Sequence, residues 1–216
     1  MLYLGSCRHM YGNSWNYFPG RLHSTREMLF FLEHRQHIQS VLEPVELANT
    51  IWGDICHPGI RADVQKWIEK PYEPTKALIL EICSRNVYYY KDIPLNHYYV
   101  LKAPHLIAKY GLRLVELSDE EIEQDLVKIL EATKGLTVHV IPHLNLRSRA
   151  LGTVIPKRDA FVQLLERLCE TYKVPFWNIG AHIEQQELGA YLEDYMADSV
   201  HWSRSYDVIK LFLSKI

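Results

Sequence analysis

Residues 77–83 read Ala-Leu-Ile-Leu-Glu-Ile-Cys, and this stretch decides the fold class. The run is mostly apolar, and turn-prone residues stand on both sides of it. Short apolar runs of this kind are typical of a central strand in a parallel sheet, because helices cover such a strand on both faces. The stretch therefore predicts a buried parallel strand with helices before and after it.

Start signals for helices occur on both sides of this strand. Ser24-Thr-Arg-Glu27 is a capping box that predicts a helix over about 25–39, and Ser118–Glu121 is a second one, whose helix ends at Gly135. Strands that alternate with capped helices predict an α/β domain with a mainly parallel sheet. Further strands are predicted at 1–4, 136–141 and 174–179, and further helices at 60–68, 157–172 and 203–215.

One segment interrupts this alternation. Residues 87–117 are rich in aromatic side chains, among them Tyr88, Tyr89, Tyr90, Tyr98 and Tyr99. The rings could stack on sugars as part of a lid, or they could pack within a local excursion of the chain, and we favour packing slightly. We expect a single domain over 1–216 with an insertion or lid at about 87–117.

The composition excludes several classes of protein. The chain has 216 residues, 48% of them hydrophobic, and a formal charge of −2. The apolar content argues against disorder, and the balanced charge argues against a general nucleic-acid binder. No apolar run approaches the roughly 20 residues that cross a bilayer, and no secretory signal is recognisable, so we expect a soluble cytoplasmic protein without a membrane span.

The cysteines and histidines give no sign of a metal site. The four cysteines are widely spaced, which argues against a disulfide framework or a zinc knuckle, and Cys56, Cys83 and Cys169 are predicted to be structural. His139 and His143 flank a predicted strand end, where residues four apart lie too far from each other to bind one ion. We predict no metal site.

Polar blocks stand at several predicted strand ends. In a parallel α/β sheet, functional groups gather beyond the carboxyl ends of the strands. The blocks are Gly5-Ser6-Cys7-Arg8, Cys83-Ser84-Arg85-Asn86 and Pro142-His143-Leu144-Asn145, with Asp198-Ser-Val-His201 before the last predicted helix.

The order and placement of these blocks resemble the SGNH (GDSL-like) hydrolase superfamily. Gly5-Ser6-Cys7 corresponds to the family's first block, Ser84-Arg85-Asn86 to its third and Asp198-x-x-His201 to its last. Gly59 is the better candidate for the second block, with Gly53 as the alternative. The resemblance implies a flavodoxin-like three-layer α/β/α sandwich.

Two residues depart from the family pattern. Cys7 stands where the family has its nucleophilic serine, with Ser6 at the position of the aspartate, and Ser84 replaces a glycine. These departures make the chain similar to outlying Gly-Ser-Cys groups of the superfamily and to WcbI-like capsule-biosynthesis proteins, which are regarded as acyltransferases.

The resemblance also implies roles for the matching residues. Cys7 would attack an acyl carbonyl as a thiolate, with Ser6 as the alternative nucleophile. His201 would act as base and then as acid, and Asp198 would orient its ring. The backbone N–H groups of Cys7 and Gly59 and the side-chain amide of Asn86 would stabilise the oxyanion.

Basic and polar residues at the same predicted edge are candidates for substrate binding. These are Arg8, Arg85, Asn145 and Arg147, together with Arg149. Clustered arginines could hold a carboxylate, a phosphate or the pyrophosphate of coenzyme A, and ordinary surface charge is about equally compatible with the pattern. No cofactor is predicted, although a transferase would need coenzyme A or another acyl donor.

The predicted function is that of an acyl-ester hydrolase or O-acyltransferase that works through an acyl-enzyme. Its partner would be a small-molecule or glycan substrate, for example in polysaccharide biosynthesis. The alternative is a non-catalytic module that binds a glycan or an anion on the same scaffold. The sequence leaves the acyl group and the oligomeric state open.

Overall fold

The computed structural model describes residues 2–5, 16–34, 47, 77–186 and 189–196. The strands in this part of the chain are β1 (Leu2–Gly5), β2 (Asn16–Arg21), β3 (Ala77–Ile82), β4 (Asn86–Tyr90), β5 (Ile93–Leu95), β6 (Arg113–Glu116) and β7 (Thr137–Pro142). The helices are α1 (Thr25–His34), α2 (His97–Lys102), α3 (His105–Tyr110), α4 (Asp119–Ala132), α5 (Pro156–Tyr172), α6 (Ile179–Gln186) and α7 (Leu192–Tyr195).

The chain divides into two compact units, which we describe separately. The first comprises residues 1–5 and 16–138, and the second comprises residues 6–15 and 139–216. Strand β7 begins in the first unit and ends in the second. The predictions for 60–68 and 203–215 lie outside the described residues.

A parallel sheet forms the centre of the first unit. Its strand order is β2-β1-β3-β7, and β1 pairs in parallel with both β2 and β3. The register of β1 on β3 places Leu2 opposite Leu78 and Leu4 opposite Leu80. All residues of β3 after Ala77 are buried, as expected of a strand covered on both faces. The predicted α/β class with a parallel sheet is confirmed.

Both predicted capping boxes form. At the start of α1 the Ser24 hydroxyl accepts from the Glu27 N–H at 3.2 Å, and the Glu27 carboxylate accepts from the Ser24 N–H at 3.2 Å. Ser118 and Glu121 make the equivalent pair of bonds at the start of α4. These bonds satisfy N–H groups that the first turn of a helix leaves without partners, which explains why the sequence places both helix starts correctly.

Helices α1 and α4 pack against each other and are joined by polar contacts. Arg26 Nε lies 2.9 Å from both carboxylate oxygens of Asp125, and Thr25 Oγ1 donates to the same carboxylate at 3.2 Å. Arg26 Nη1 also donates to Tyr89 Oη at 2.8 Å. Because Asp125 is only 2% exposed, this pair joins the two helices from within the first unit.

The aromatic-rich segment forms a second sheet, of three antiparallel strands. Its order is β5-β4-β6, with Tyr88 opposite Leu95 and Leu114. The rings of Tyr88 and Tyr89 are buried. The sequence indicated an interruption here but not its strands, because alternation is weak in an aromatic run of this kind.

The second unit contains α5, α6 and α7. Pro156 stands in the first turn of α5, and Lys173 ends this helix in the left-handed conformation at φ 56°. The strand predicted at 174–179 is reduced to one bridge between Val140 and Phe176. Asn178 accepts from the Ala181 N–H at 3.1 Å and so caps α6 at the point where the strand was predicted to continue. None of the described helices is long and apolar enough to cross a membrane.

Candidate functional site

The structure describes four of the ten predicted site residues. Asn86 and Arg85 lie in the first unit, and Asn145 and Arg147 lie in the second. The remaining six fall outside the described residues, so their roles stay predictions; they are Ser6, Cys7, Arg8, Gly59, Asp198 and His201. The alternative Gly53 falls outside as well.

The carboxyl ends of β1 and β3 lie side by side at one edge of the parallel sheet. Residue pairs stay in register from Leu2–Leu78 to Leu4–Leu80. Strand β1 ends at Gly5, whose carbonyl accepts from the Leu22 N–H at 3.2 Å. The chain therefore leaves β1 after Gly5 and β3 after Ile82 at the same edge of the sheet.

The loop after β3 is fixed by the turn between β2 and α1. The N–H groups of Cys83 and Ser84 both donate to the carbonyl oxygen of His23, each at 2.9 Å. The His23 ring is buried, and its Nδ1 lies 3.1 Å from Nδ2 of Asn96. These contacts fix the backbone of the loop immediately before Asn86.

Asn86 is the first residue of β4 and is partly exposed. Its N–H donates to the Ser84 hydroxyl oxygen at 3.0 Å, and the same hydroxyl lies 3.4 Å from the Asn86 carbonyl. Ser84 thus closes a turn through its side chain. Within the described residues we find no hydrogen bond to the side-chain amide of Asn86, which leaves this amide able to donate to a ligand.

Arg85 makes its polar contacts at the junction of β6 and α4. Its Nε donates to the carbonyl oxygen of Leu117 at 2.9 Å, and its Nη2 pairs with the carboxylate of Asp119. Glu116 lies 3.8 Å from Nε. The guanidinium is thus matched by protein carboxylates, and the substrate-binding role of Arg85 stays a prediction.

A buried carboxylate near this edge was not predicted as part of the site. Glu27 is 2% exposed, and its carboxylate accepts from three backbone N–H groups, those of His23, Ser24 and His97. Burial raises the pKa of Glu27 to about 7, although these hydrogen bonds act in the opposite direction. The capping-box pattern identified Glu27 as a helix cap, but no sequence signal showed its burial or its contact with His97.

In the second unit, Asn145 follows β7, and only part of its side-chain amide is hydrogen-bonded to described residues. Its Nδ2 donates to Asp159 at 2.7 Å, whereas its Oδ1 is buried and has no hydrogen-bond partner in the part of the chain that the structure describes. The backbone of Asn145 also lies against α6: a Cβ added to Gly180 would stand 2.5 Å from the Asn145 carbonyl oxygen. Glycine is required there because of this close approach.

The two arginines after Asn145 differ in their surroundings. Arg147 is exposed and forms a bridge with Tyr191 through its backbone. Arg149 pairs with Asp194 at 2.6 Å, and its guanidinium lies 4.7 Å from the centre of the Tyr191 ring. Arg149 is therefore held by the segment that includes α7, while the side chain of Arg147 faces solvent.

Among the described residues, no group of three or more histidine, cysteine or acidic side chains is arranged to hold a metal ion. His143 Nδ1 lies 3.0 Å from the Leu144 carbonyl oxygen, and burial lowers the pKa of His139. Cys169 is buried, and burial raises the pKa of its thiol to about 12. Such a thiol does not ionise at neutral pH, which agrees with the predicted structural role of Cys169.

Comparison with known proteins gives one structural match. No family model matches the sequence, and no curated protein matches it. A mutant of Axe2, an acetyl-xylooligosaccharide esterase from Geobacillus Stearmophilus, has a similar structure with a TM-score of 0.48 and 14% sequence identity. The match covers 99% of this chain and 91% of that chain.

Proposed function

We propose that the protein is an SGNH-like enzyme that removes or transfers an acyl group on an oxygen ester of a carbohydrate. The observation that carries this proposal is the parallel pairing of β1 with β3. It brings the end of β1, after which Ser6 and Cys7 follow, to the same edge as the loop that leads to Asn86. The ordered sequence blocks supply the chemistry for that edge.

The proposed reaction has two steps. The Cys7 thiolate, or the Ser6 hydroxyl with His201 as base, attacks the ester carbonyl carbon and forms a tetrahedral oxyanion. The alcohol leaves with a proton from His201, and an acyl-enzyme remains. Water or an acceptor hydroxyl then attacks the acyl carbon and gives its proton to His201. The bond from the acyl carbon to the enzyme breaks, the carboxylic acid or new ester departs, and the nucleophile is regenerated as the Cys7 thiolate or, with the proton returned by His201, as the Ser6 hydroxyl.

Asn86 would contribute to the oxyanion site in both steps. Its amide has no partner among the described residues, and one oxyanion donor is typically worth about 10²–10³ in rate. Asp198 would orient His201, and Gly59 would offer a backbone N–H. Arg8, Arg85, Asn145 and Arg147 are proposed to bind the substrate, with Arg147 the most exposed of the three that the structure describes.

Mass spectrometry after incubation with p-nitrophenyl acetate tests the acyl-enzyme. We expect acylation at Cys7 or Ser6. We also expect His201→Ala to lose turnover of p-nitrophenyl acetate. His105→Ala is the matched control, because His105 is an exposed histidine on α3. Absence of an adduct at residues 6 and 7, together with unchanged turnover in His201→Ala, would contradict the proposal.

Acceptor chemistry separates a hydrolase from a transferase. Protection of the protein by coenzyme A against thermal unfolding would favour a transferase of the kind found in polysaccharide biosynthesis. The absence of such protection would favour a hydrolase. An intact fold that binds glycans but forms no adduct would instead favour the non-catalytic binding module. The cytoplasmic location stays a prediction from the sequence.

A further inference from the structure

We propose that Glu27 is a positioning residue, which fixes the loop that carries Asn86 through the backbone of His23. The inference rests on the proposed function, because Asn86 is the oxyanion donor there. It goes beyond that function because it assigns a role to a buried carboxylate outside the sequence blocks.

The first step is the surroundings of the carboxylate. A capping-box glutamate normally accepts from one N–H, that of the residue three positions before it. Glu27 accepts from Ser24 in this way, and in addition from His23 and, at 3.3 Å, from His97. Its carboxylate therefore joins the turn before α1 to the start of α2.

The second step leads from this turn to Asn86. The N–H of His23 donates to Glu27, and the carbonyl of His23 accepts from Cys83 and Ser84 at 2.9 Å each. The Ser84 hydroxyl then accepts from the Asn86 N–H at 3.0 Å. A continuous series of hydrogen bonds thus runs from the buried carboxylate of Glu27 to the backbone of Asn86.

The third step is a comparison with the other capping box of the first unit. Glu121 caps α4 through one N–H, that of Ser118 at 2.9 Å, and its side chain is 40% exposed. Glu27 performs the same capping inside the protein, where removing a carboxylate from water costs more than one capping bond returns. The additional bonds to His23 and His97 offset part of this cost and hold the turn in place.

Glu27→Gln, with Glu121→Gln as the matched control, tests the inference. Glutamine has one acceptor oxygen and one NH2 group in place of the two acceptor oxygens of glutamate. At least one of the backbone N–H groups that bond to Glu27 would therefore face the NH2 group, which is itself a donor. We expect the amides of Cys83 and Ser84 to exchange hydrogen at least about tenfold faster in Glu27→Gln, relative to the amides of β4 in the same sample. Glu121→Gln should change this ratio less than about twofold.

Kinetics supply the second readout. On p-nitrophenyl acetate, Glu27→Gln should lower kcat by about tenfold and leave KM unchanged, since a misplaced oxyanion donor affects the transition state rather than substrate binding. Equal exchange ratios in both variants, or an unchanged kcat in a Glu27→Gln variant of intact fold, would overturn the inference.

A milder variant covers the case in which Glu27→Gln does not fold. Ser84→Ala removes only the last bond of the series, the one to the Asn86 N–H. It should lower kcat without a change in KM, and an unchanged kcat would overturn the inference by itself. If the proposed function is wrong, the unmodified protein will show no activity. Hydrogen exchange needs no turnover, so it still tests the positioning role in that case.

Discussion

The protonation of Glu27 makes folding stability depend on pH. Burial raises the pKa of Glu27 from its ordinary value of 4.5 to about 7. The folded protein therefore holds this proton more tightly than the unfolded chain does. The resulting contribution to the free energy of unfolding is fully present below pH 4.5 and is lost as the pH rises to about 7.

The size of this contribution follows from the two pKa values. The interval from 4.5 to about 7, at about 1.4 kcal/mol for each pH unit, corresponds to about 3 kcal/mol. Glu27→Gln cannot ionise. The free energy of unfolding of the unmodified protein minus that of the variant should therefore fall by about 3 kcal/mol between about pH 4 and pH 8.

Urea unfolding across this pH range measures the difference directly. Subtracting the free energy of unfolding of the variant removes the contribution of neighbouring groups such as His97. Burial lowers the pKa of His97, so its effect on the pH dependence of stability has the opposite sign. Ile122→Val is a suitable control, because Ile122 is buried on α4 and its truncation costs about 1 kcal/mol without removing a titratable group. A difference between unmodified protein and Glu27→Gln that stays constant within about 1 kcal/mol across the range would refute the reasoning.

Three further predictions concern other parts of the molecule. Arg26→Met should lower the free energy of unfolding in urea by about 3 kcal/mol, because it leaves the Asp125 carboxylate, only 2% exposed, without its cation; a loss below about 0.5 kcal/mol would contradict this. Gly180→Ala should lower the melting temperature, at a cost of about 1–3 kcal/mol, since the new Cβ would stand 2.5 Å from the Asn145 carbonyl oxygen; an unchanged melting temperature would argue against this close approach. Cys169 should resist a thiol reagent at pH 8 until the protein unfolds, because burial raises its pKa to about 12; rapid labelling of the native protein, located by peptide mapping, would disagree.

Local signals predicted the helix starts and the central strand. The two capping boxes set the starts of α1 and α4, and the apolar run 77–83 became β3. These features succeed because each depends on residues within one turn or one strand. The strand predicted at 174–179 was wrong in its second half because Asn178 caps a helix there.

Features that depend on distant contacts were not visible in the sequence. Thr25 bonds to a residue 100 positions away, and Glu27 bonds to one 70 positions away. Nothing in a local pattern distinguishes a carboxylate that will be buried by such contacts from one that stays in water. For the same reason the sequence did not show that Arg85 pairs with Asp119, which begins a helix 34 positions later.

The candidate site stays a predicted set of residues, of which the structure describes four. Asn86 is the first residue of β4, and its side-chain amide has no hydrogen bond among the described residues. The Ser84 hydroxyl closes the turn before Asn86, a contact that the sequence pattern did not predict. The nucleophile and its base stay predictions because they lie outside the described residues.

The interior position of β1 has a consequence for synthesis of the chain. Leu2 pairs with Leu78, so β1 must find one of its two neighbours about 75 residues later in the chain. At about 5–20 residues per second, roughly 4–15 s pass before that neighbour has been translated. Strand β1 therefore emerges from the ribosome before β3, its neighbour on one edge, has been made. The parallel sheet can form completely only after residues 77–82 have emerged.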